Sequence, residues 1–145
     1  MKRILIDTNM LLVPGQHTVD IFTELDRIID EPYELAILQG SIRELDNIAS
    51  GATSASAEDR RAAKLARLLV EHQERRDWAA STGSQCKGLK ILGGSADQHV
   101  DDAILAIADD DTLVATNDGG LKRRLLERGI RVIFLRNRNC LALAE

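Results

Sequence analysis

The sequence predicts an α/β fold in which a parallel sheet lies between two layers of helices. Three observations carry this. Short apolar runs alternate with segments of helical periodicity along the whole chain. The polar or glycine-containing breaks between them are short, as βα units require. An acid closes the run Ile4-Leu5-Ile6 (Asp7), and another, Asp118, stands just past Leu113-Val114-Ala115-Thr116. In such folds, strand C-termini and helix N-termini gather along one edge, and ligands bind there at the point where the strand order reverses.

The elements are expected in the following order. Residues 3–6 form a first strand. Residues 18–30 form a helix, with Val19, Phe22, Leu25, Ile28 and Ile29 as its apolar stripe. A second strand spans 34–38 and a helix spans 41–49, where Ile42, Leu45, Ile48 and Ala49 share a face. The Gly/Ala/Ser/Thr run from Gly51 to Ser56 is a loop, and a long helix rich in Ala, Leu and Arg covers 57–80. A polar loop from Ser81 to Lys87 leads to a short strand at 89–92, which Gly93-Gly94 ends. The remainder reads as helix 97–109, strand 112–116, helix 119–128 with its stop at Gly129, and strand 131–135. The final stretch, Arg136 to Glu145, shows no clear pattern.

With 145 residues, 1–145 is expected to fold as a single domain around one sizeable core. Aromatics make up only 3% of the chain, so that core must be built from Leu, Ile, Val and Ala. No apolar stretch approaches the ~20 residues of a membrane span, and Met1-Lys2-Arg3 leads into a strand rather than into a signal peptide's apolar region. Cys86 and Cys140 fit no metal or redox spacing, so both are expected as idle thiols in a reducing cytoplasm. His17, His72 and His99 likewise lack ligand spacing and are expected to be incidental.

Four acids are candidates for a shared site: Asp7, Glu44, Asp102 and Asp118. Each also has an ordinary role. Asp7 suits an Asx turn and Glu44 a helix surface. Asp102 suits a first helical turn, and Asp118 suits a helix N-cap. What separates them from the ordinary is that all four positions fall toward one edge of the sheet. Carboxylates converging there repel one another and call for a hard divalent cation. A helical projection sets Ile104 and Ile107 near Val100, with Asp102 roughly opposite and Asp101 between, so periodicity alone does not choose between the two acids. The net charge of −4 does not exclude a polyanionic partner: setting the four candidates aside leaves 19 acidic against 19 basic residues. Basic clusters occur at Arg60, Arg61, Lys64 and Arg67, at Arg75 and Arg76, at Lys122, Arg123, Arg124 and Arg128, and at Arg136 and Arg138.

The segments Ile4-Leu5-Ile6-Asp7-Thr8-Asn9, Arg43-Glu44-Leu45, Val100-Asp101-Asp102-Ala103-Ile104 and Ala115-Thr116-Asn117-Asp118 together resemble the four motifs of PIN-domain nucleases. The resemblance spans nearly the whole chain, in the right order. It implies a three-layer α/β/α fold with a five-stranded parallel sheet ordered 3-2-1-4-5. It assigns the metal-site acids to Asp7, Glu44, Asp102 and Asp118, taking Asp102 over Asp101, with Thr8 or Asn9 and Thr116 or Asn117 as supporting polar groups. It further implies Mg²⁺ or Mn²⁺ as cofactor and hydrolysis of phosphodiester bonds in single-stranded or structured RNA; the cytoplasmic location is expected from the thiols and the N-terminal pattern.

Within the family, Asn9-Met10-Leu11-Leu12-Val13-Pro14 followed by Val19-Asp20-Ile21-Phe22 is most similar to the ribosomal-RNA-processing branch, with VapC-type toxins second. The corresponding partners are ribosome-assembly factors or an antitoxin, and a homodimer is compatible with either. Gln39-Gly40 departs from the Val-Pro-like pair common before the second motif. A non-cleaving RNA- or partner-binding scaffold is the non-enzymatic alternative. A haloacid-dehalogenase-type phosphatase fits less well, because it needs a second Asp where this chain has Asn9.

Overall fold

The computed structural model describes residues 1–80, 83–94 and 99–145. Among the described residues six strands form one sheet: β1 (Lys2–Ile6), β2 (Tyr33–Leu38), β3 (Cys86–Leu92), β4 (Thr112–Ala115), β5 (Arg131–Arg136) and β6 (Cys140–Ala144). Their spatial order is β3-β2-β1-β4-β5-β6, and the first five are parallel. The expected 3-2-1-4-5 arrangement is therefore present. To it is added β6, which pairs antiparallel with β5 through the register Leu135↔Leu141.

Strand β1 shows why the sheet lies between two layers. Successive side chains point to opposite faces, and Ile4, Leu5 and Ile6 are all buried. Ile4 and Ile6 join one core with Met10, Leu11, Leu25, Leu45 and Ala63, whereas Leu5 joins the other with Ile104, Val114, Leu121 and Leu125. Five helices supply the first side: α1 (Thr8–Leu11), α2 (Val13–His17), α3 (Ile21–Ile28), α4 (Gln39–Ser50) and α5 (Ala57–Arg75). The second side is covered by α6 (Val100–Ile107) and α7 (Gly119–Glu127).

Most element ends have a local cause. Asp20, Ser56 and Asp118 cap α3, α5 and α7, each accepting backbone N–H bonds that the first helical turn would otherwise leave open. Gly51, at φ 80°, closes α4 in a left-handed conformation that glycine adopts without strain. The helix expected at 18–30 is shorter, because Thr18 is left-handed and Asp20 restarts the chain as a cap. The helix expected at 57–80 stops at Arg75, where Arg76 turns extended, and the Asp77 carboxylate then gathers the N–H groups of Ala79 and Ala80 into a turn. Strand β3 begins three residues earlier than expected, at Cys86. Ser81 and Thr82 of the expected loop, and Asp97 and Gln98 of the expected helix 97–109, lie outside the described residues.

The chain runs β1, β2, β3 toward one edge and then crosses back to place β4 on the other side of β1. The reversal thus falls between β1 and β4, whose ends are in register through Ile6↔Ala115. Asp7 follows one strand directly and Asp118 follows the other by three residues.

Candidate active site

Asp7 is the innermost acid of the site, with only 4% of its surface exposed. Its backbone N–H donates to the Ala115 carbonyl at 2.9 Å, extending the β1–β4 ladder by one residue. Its side chain is held at both oxygens: Oδ1 accepts from the Thr8 N–H at 2.8 Å and Oδ2 from the Thr116 hydroxyl at 2.7 Å. Burial pushes its carboxyl pKa up to about 6, these two bonds pull against that rise, and the charges of Asp101 and Glu44 add to it.

Thr116 is fully buried and organises the floor. Its single hydroxyl proton is committed to Asp7, and the oxygen accepts from the Asp118 N–H at 3.1 Å. The Asn9 amide stands beside it, with Nδ2 at 3.5 Å from the hydroxyl and Oδ1 accepting from the Asn117 N–H at 3.0 Å. The Asn117 side chain faces β5 instead, where it accepts from the Leu135 N–H at 2.8 Å. Asp118 caps α7 through Oδ1, which accepts from Gly120 and Leu121 at 2.9 and 3.2 Å. Of the supporting polar groups expected, Asn9, Thr116 and Asn117 enter this network. Thr8 contributes its backbone N–H, while its buried hydroxyl has no partner among the described residues.

On α6 the structure separates the two neighbouring acids. Asp101 is partly buried, and its pKa is raised first by desolvation and then by Asp118, with Arg124 opposing. Its charge also acts on Asp7. Asp102 is 57% exposed at its side chain and lies 3.7 Å from the Arg124 guanidinium. Of the two, Asp101 is the more buried, its charge acts on Asp7 and that of Asp118 acts on it, whereas the family resemblance assigns the role to Asp102. The physical reason is helical: a single step turns a side chain by about 100°, and the apolar anchors Val100 and Ile104 fix which of the two faces the sheet edge.

Glu44, on α4, is exposed and reaches the site through its effect on Asp7. Among the described residues no three acidic, His or Cys side chains already close into a cage. The donor set nevertheless suits a hard cation. It consists of carboxylate oxygens alone, neighbouring acids add to the rise at Asp7 and Asp101, and Mg²⁺ is commonly held by one or two carboxylates while phosphate and water complete its shell.

A family model described as a PIN-like domain matches residues 4–138. The chain belongs to the PIN-like domain family. Members of this family are nucleases and generally use divalent metals. Ribonuclease VapC4 of Methanocaldococcus jannaschii is 26% identical over 140 residues, which cover 95% of this chain and 93% of that protein. The solved structure of the PIN domain endonuclease Utp24 has the same fold, with a TM-score of 0.65 at 20% identity over 97% of this chain and 90% of that one. A domain of a functionally unknown M. jannaschii protein matches at a TM-score of 0.58 and 16% identity, over 94% of this chain and 92% of its own length.

Proposed function

We propose that this PIN-like protein is a metal-dependent endoribonuclease whose acidic site is formed by Asp7, Asp101 and Asp118, with Glu44 at its rim. The observation that carries the proposal is the placement of Asp7 and Asp118 just past the paired ends of β1 and β4, with Asp101 and Glu44 near enough that their charges act on the buried Asp7. Asp7 and Asp118 would hold Mg²⁺ or Mn²⁺, and Asp101 would complete the set from the opposite helix. A bound divalent ion would acidify water and stabilise charge on the leaving oxygen.

The chain's own groups do the rest. Thr116 and the Thr8 N–H fix the Asp7 carboxylate in one orientation, so its lone pairs are placed before substrate arrives. The two N–H groups of α7 hold Asp118 in the same way. Glu44, being exposed, can engage through an intervening water. Attack of water on phosphorus, in line with the departing 3′ oxygen, gives 5′-phosphate and 3′-hydroxyl ends.

RNA cleavage in the cytoplasm serves either of two roles. The near-full-length match to a VapC ribonuclease supports a toxin-type enzyme with an antitoxin partner. The segment from Asn9 to Pro14, through its likeness to the processing branch, supports maturation of ribosomal RNA alongside assembly factors. Sequencing RNA crosslinked to an Asp7→Asn trap separates them: one dominant precursor junction marks processing, and cuts in mature cellular RNAs mark a toxin.

The activity itself is tested with end-labelled RNA and Mn²⁺. Cleavage is expected to stop in excess EDTA and to fall by a factor of about 10² or more in Asp7→Asn, since a positioned metal site supplies several kcal/mol of transition-state stabilisation. Undiminished cleavage under either condition would remove the site from the reaction.

A further inference from the structure

Beside the acids runs a groove of about 630 Å³ that begins at Asn9, Thr116 and Asn117, the polar floor that holds Asp7. His17, at the end of α2, Lys122, on α7, and Arg138, in the β5–β6 turn, also line it. Among the described residues no Asp or Glu lines it, although the chain carries 23 acids against 19 Lys and Arg. Acid and base are thus sorted between two adjoining parts of one surface.

Two features show that the cations are placed rather than scattered. The Lys122 ammonium lies 3.8 Å from the Phe134 ring centroid, so the aromatic face fixes it against the groove wall. Arg138 occupies the second central position of the tight turn Arg136–Asn139, which the Asn139 N–H closes onto the Arg136 carbonyl at 3.2 Å. Asn137 and Arg138 have φ of 53° and 61°, as a type I′ turn requires. Asn-Gly is the pair that fits such a turn best, and an arginine at the second position is conformationally disfavoured. A guanidinium is retained where glycine would fold more easily, and it lines the groove.

We propose that this groove is the track for a single RNA strand on one side of the scissile bond, with Lys122 and Arg138 each taking a backbone phosphate. The inference rests on the nuclease reading for the strand's destination. The chemistry of the track, cations and neutral amides leading to a polar floor, is that of phosphate recognition without base readout.

The test uses the full chain carrying Asp7→Asn and a fluorescent 12-nucleotide single-stranded RNA in EDTA, titrated between 50 and 200 mM salt. Adding Lys122→Gln or Arg138→Gly is expected to weaken binding about three- to tenfold and to flatten the slope of log affinity on log salt by about 0.7 for each phosphate no longer neutralised. Arg61→Gln, on exposed α5, serves as the control and should leave both unchanged. Arg138→Gly relieves the left-handed backbone, so its melting temperature should hold or rise, which separates weakened binding from failed folding.

In the otherwise native chain the same two substitutions should raise KM while kcat stays within about threefold. Unaltered salt slopes and KM would overturn the track while leaving the nuclease standing. Absence of salt-dependent RNA binding in the parent would overturn it as well. Loss of binding on substitution, in a parent that cleaves no RNA with any divalent ion, would support the track and sink the nuclease reading.

Discussion

Asp7 shows how a single side chain carries conflicting demands. Its carboxyl has a pKa of about 6 in the folded chain, above the ordinary 3.8, because burial outweighs two hydrogen bonds. The folded state therefore binds the proton more tightly than the unfolded state does. Metal-free stability should fall as pH rises from about 4 to about 6 and stay lower above that, by on the order of 2–3 kcal/mol. Asp7→Asn removes the buried charge. Without metal it should melt above the parent at pH 8, by up to ~2 kcal/mol, and lose that advantage near pH 4, as chemical denaturation at the two pH values would report. The pair on α6 supplies a second residue-scale prediction: Asp101→Asn should cost cleavage about 10²-fold, and Asp102→Asn should stay within about threefold. The reverse order of effects would return the role to Asp102. Neither outcome could be derived from the sequence, because two adjacent acids in a first turn have the same pattern, and only the packing of Val100 and Ile104 decides their directions.

At the scale of elements, α2 approaches α5 closely. A methyl group added at Gly15 would sit 2.5 Å from Ala62 Cα and 2.7 Å from its Cβ, and backbone cannot yield as a flexible side chain does. Gly15→Ala should therefore destabilise by about 1–3 kcal/mol, read as a shift in denaturation midpoint with little change in slope. Strand β6 shows a different device. It is an edge strand, and edges left open invite pairing with other chains. Here Glu24 of α3 accepts from the Leu141 N–H at 3.0 Å, and Arg27 donates to the Leu141 carbonyl at 3.0 Å. The Arg27 and Leu141 bonds hold the Glu24 carboxyl below its usual pKa, so this clasp is present above about pH 4.5 and lost as pH falls through the lowered value. Glu24→Ala should cost on the order of 1 kcal/mol and speed amide exchange at Leu141. Exchange at the parent rate would show that the clasp contributes nothing. Strand β6 was not legible in Arg136–Glu145, because its five residues alternate weakly and its pairing depends on a turn built from Asn and Arg rather than Asn-Gly.

For the whole molecule, folding gathers charge of one sign from distant parts of the chain, and under the proposed function a cation would relieve the resulting repulsion. A divalent ion that binds only the folded state should raise the melting temperature with the logarithm of its concentration, with about 2.7 kcal/mol expected at a hundredfold over Kd. Protons compete for Asp7, so that shift should shrink between pH 7.5 and pH 5.5 and vanish in Asp7→Asn. A shift independent of both pH and Asp7 would place the ion elsewhere. The chain's own pattern determined the layered α/β fold and the placing of Asp7 and Asp118 beside the reversal, and its four short motifs implied the 3-2-1-4-5 order of the parallel strands. It could do so because apolar period and turn chemistry are local properties, which a few neighbouring residues express. The deeper burial of Asp101 than of Asp102, the sixth strand and the sorting of Lys122, Arg138 and His17 into one groove were decided by tertiary structure alone. Each depends on which faces meet across the sheet, and a hydrogen bond between residues more than a hundred positions apart, such as Thr116 to Asp7, has no signature in the local sequence.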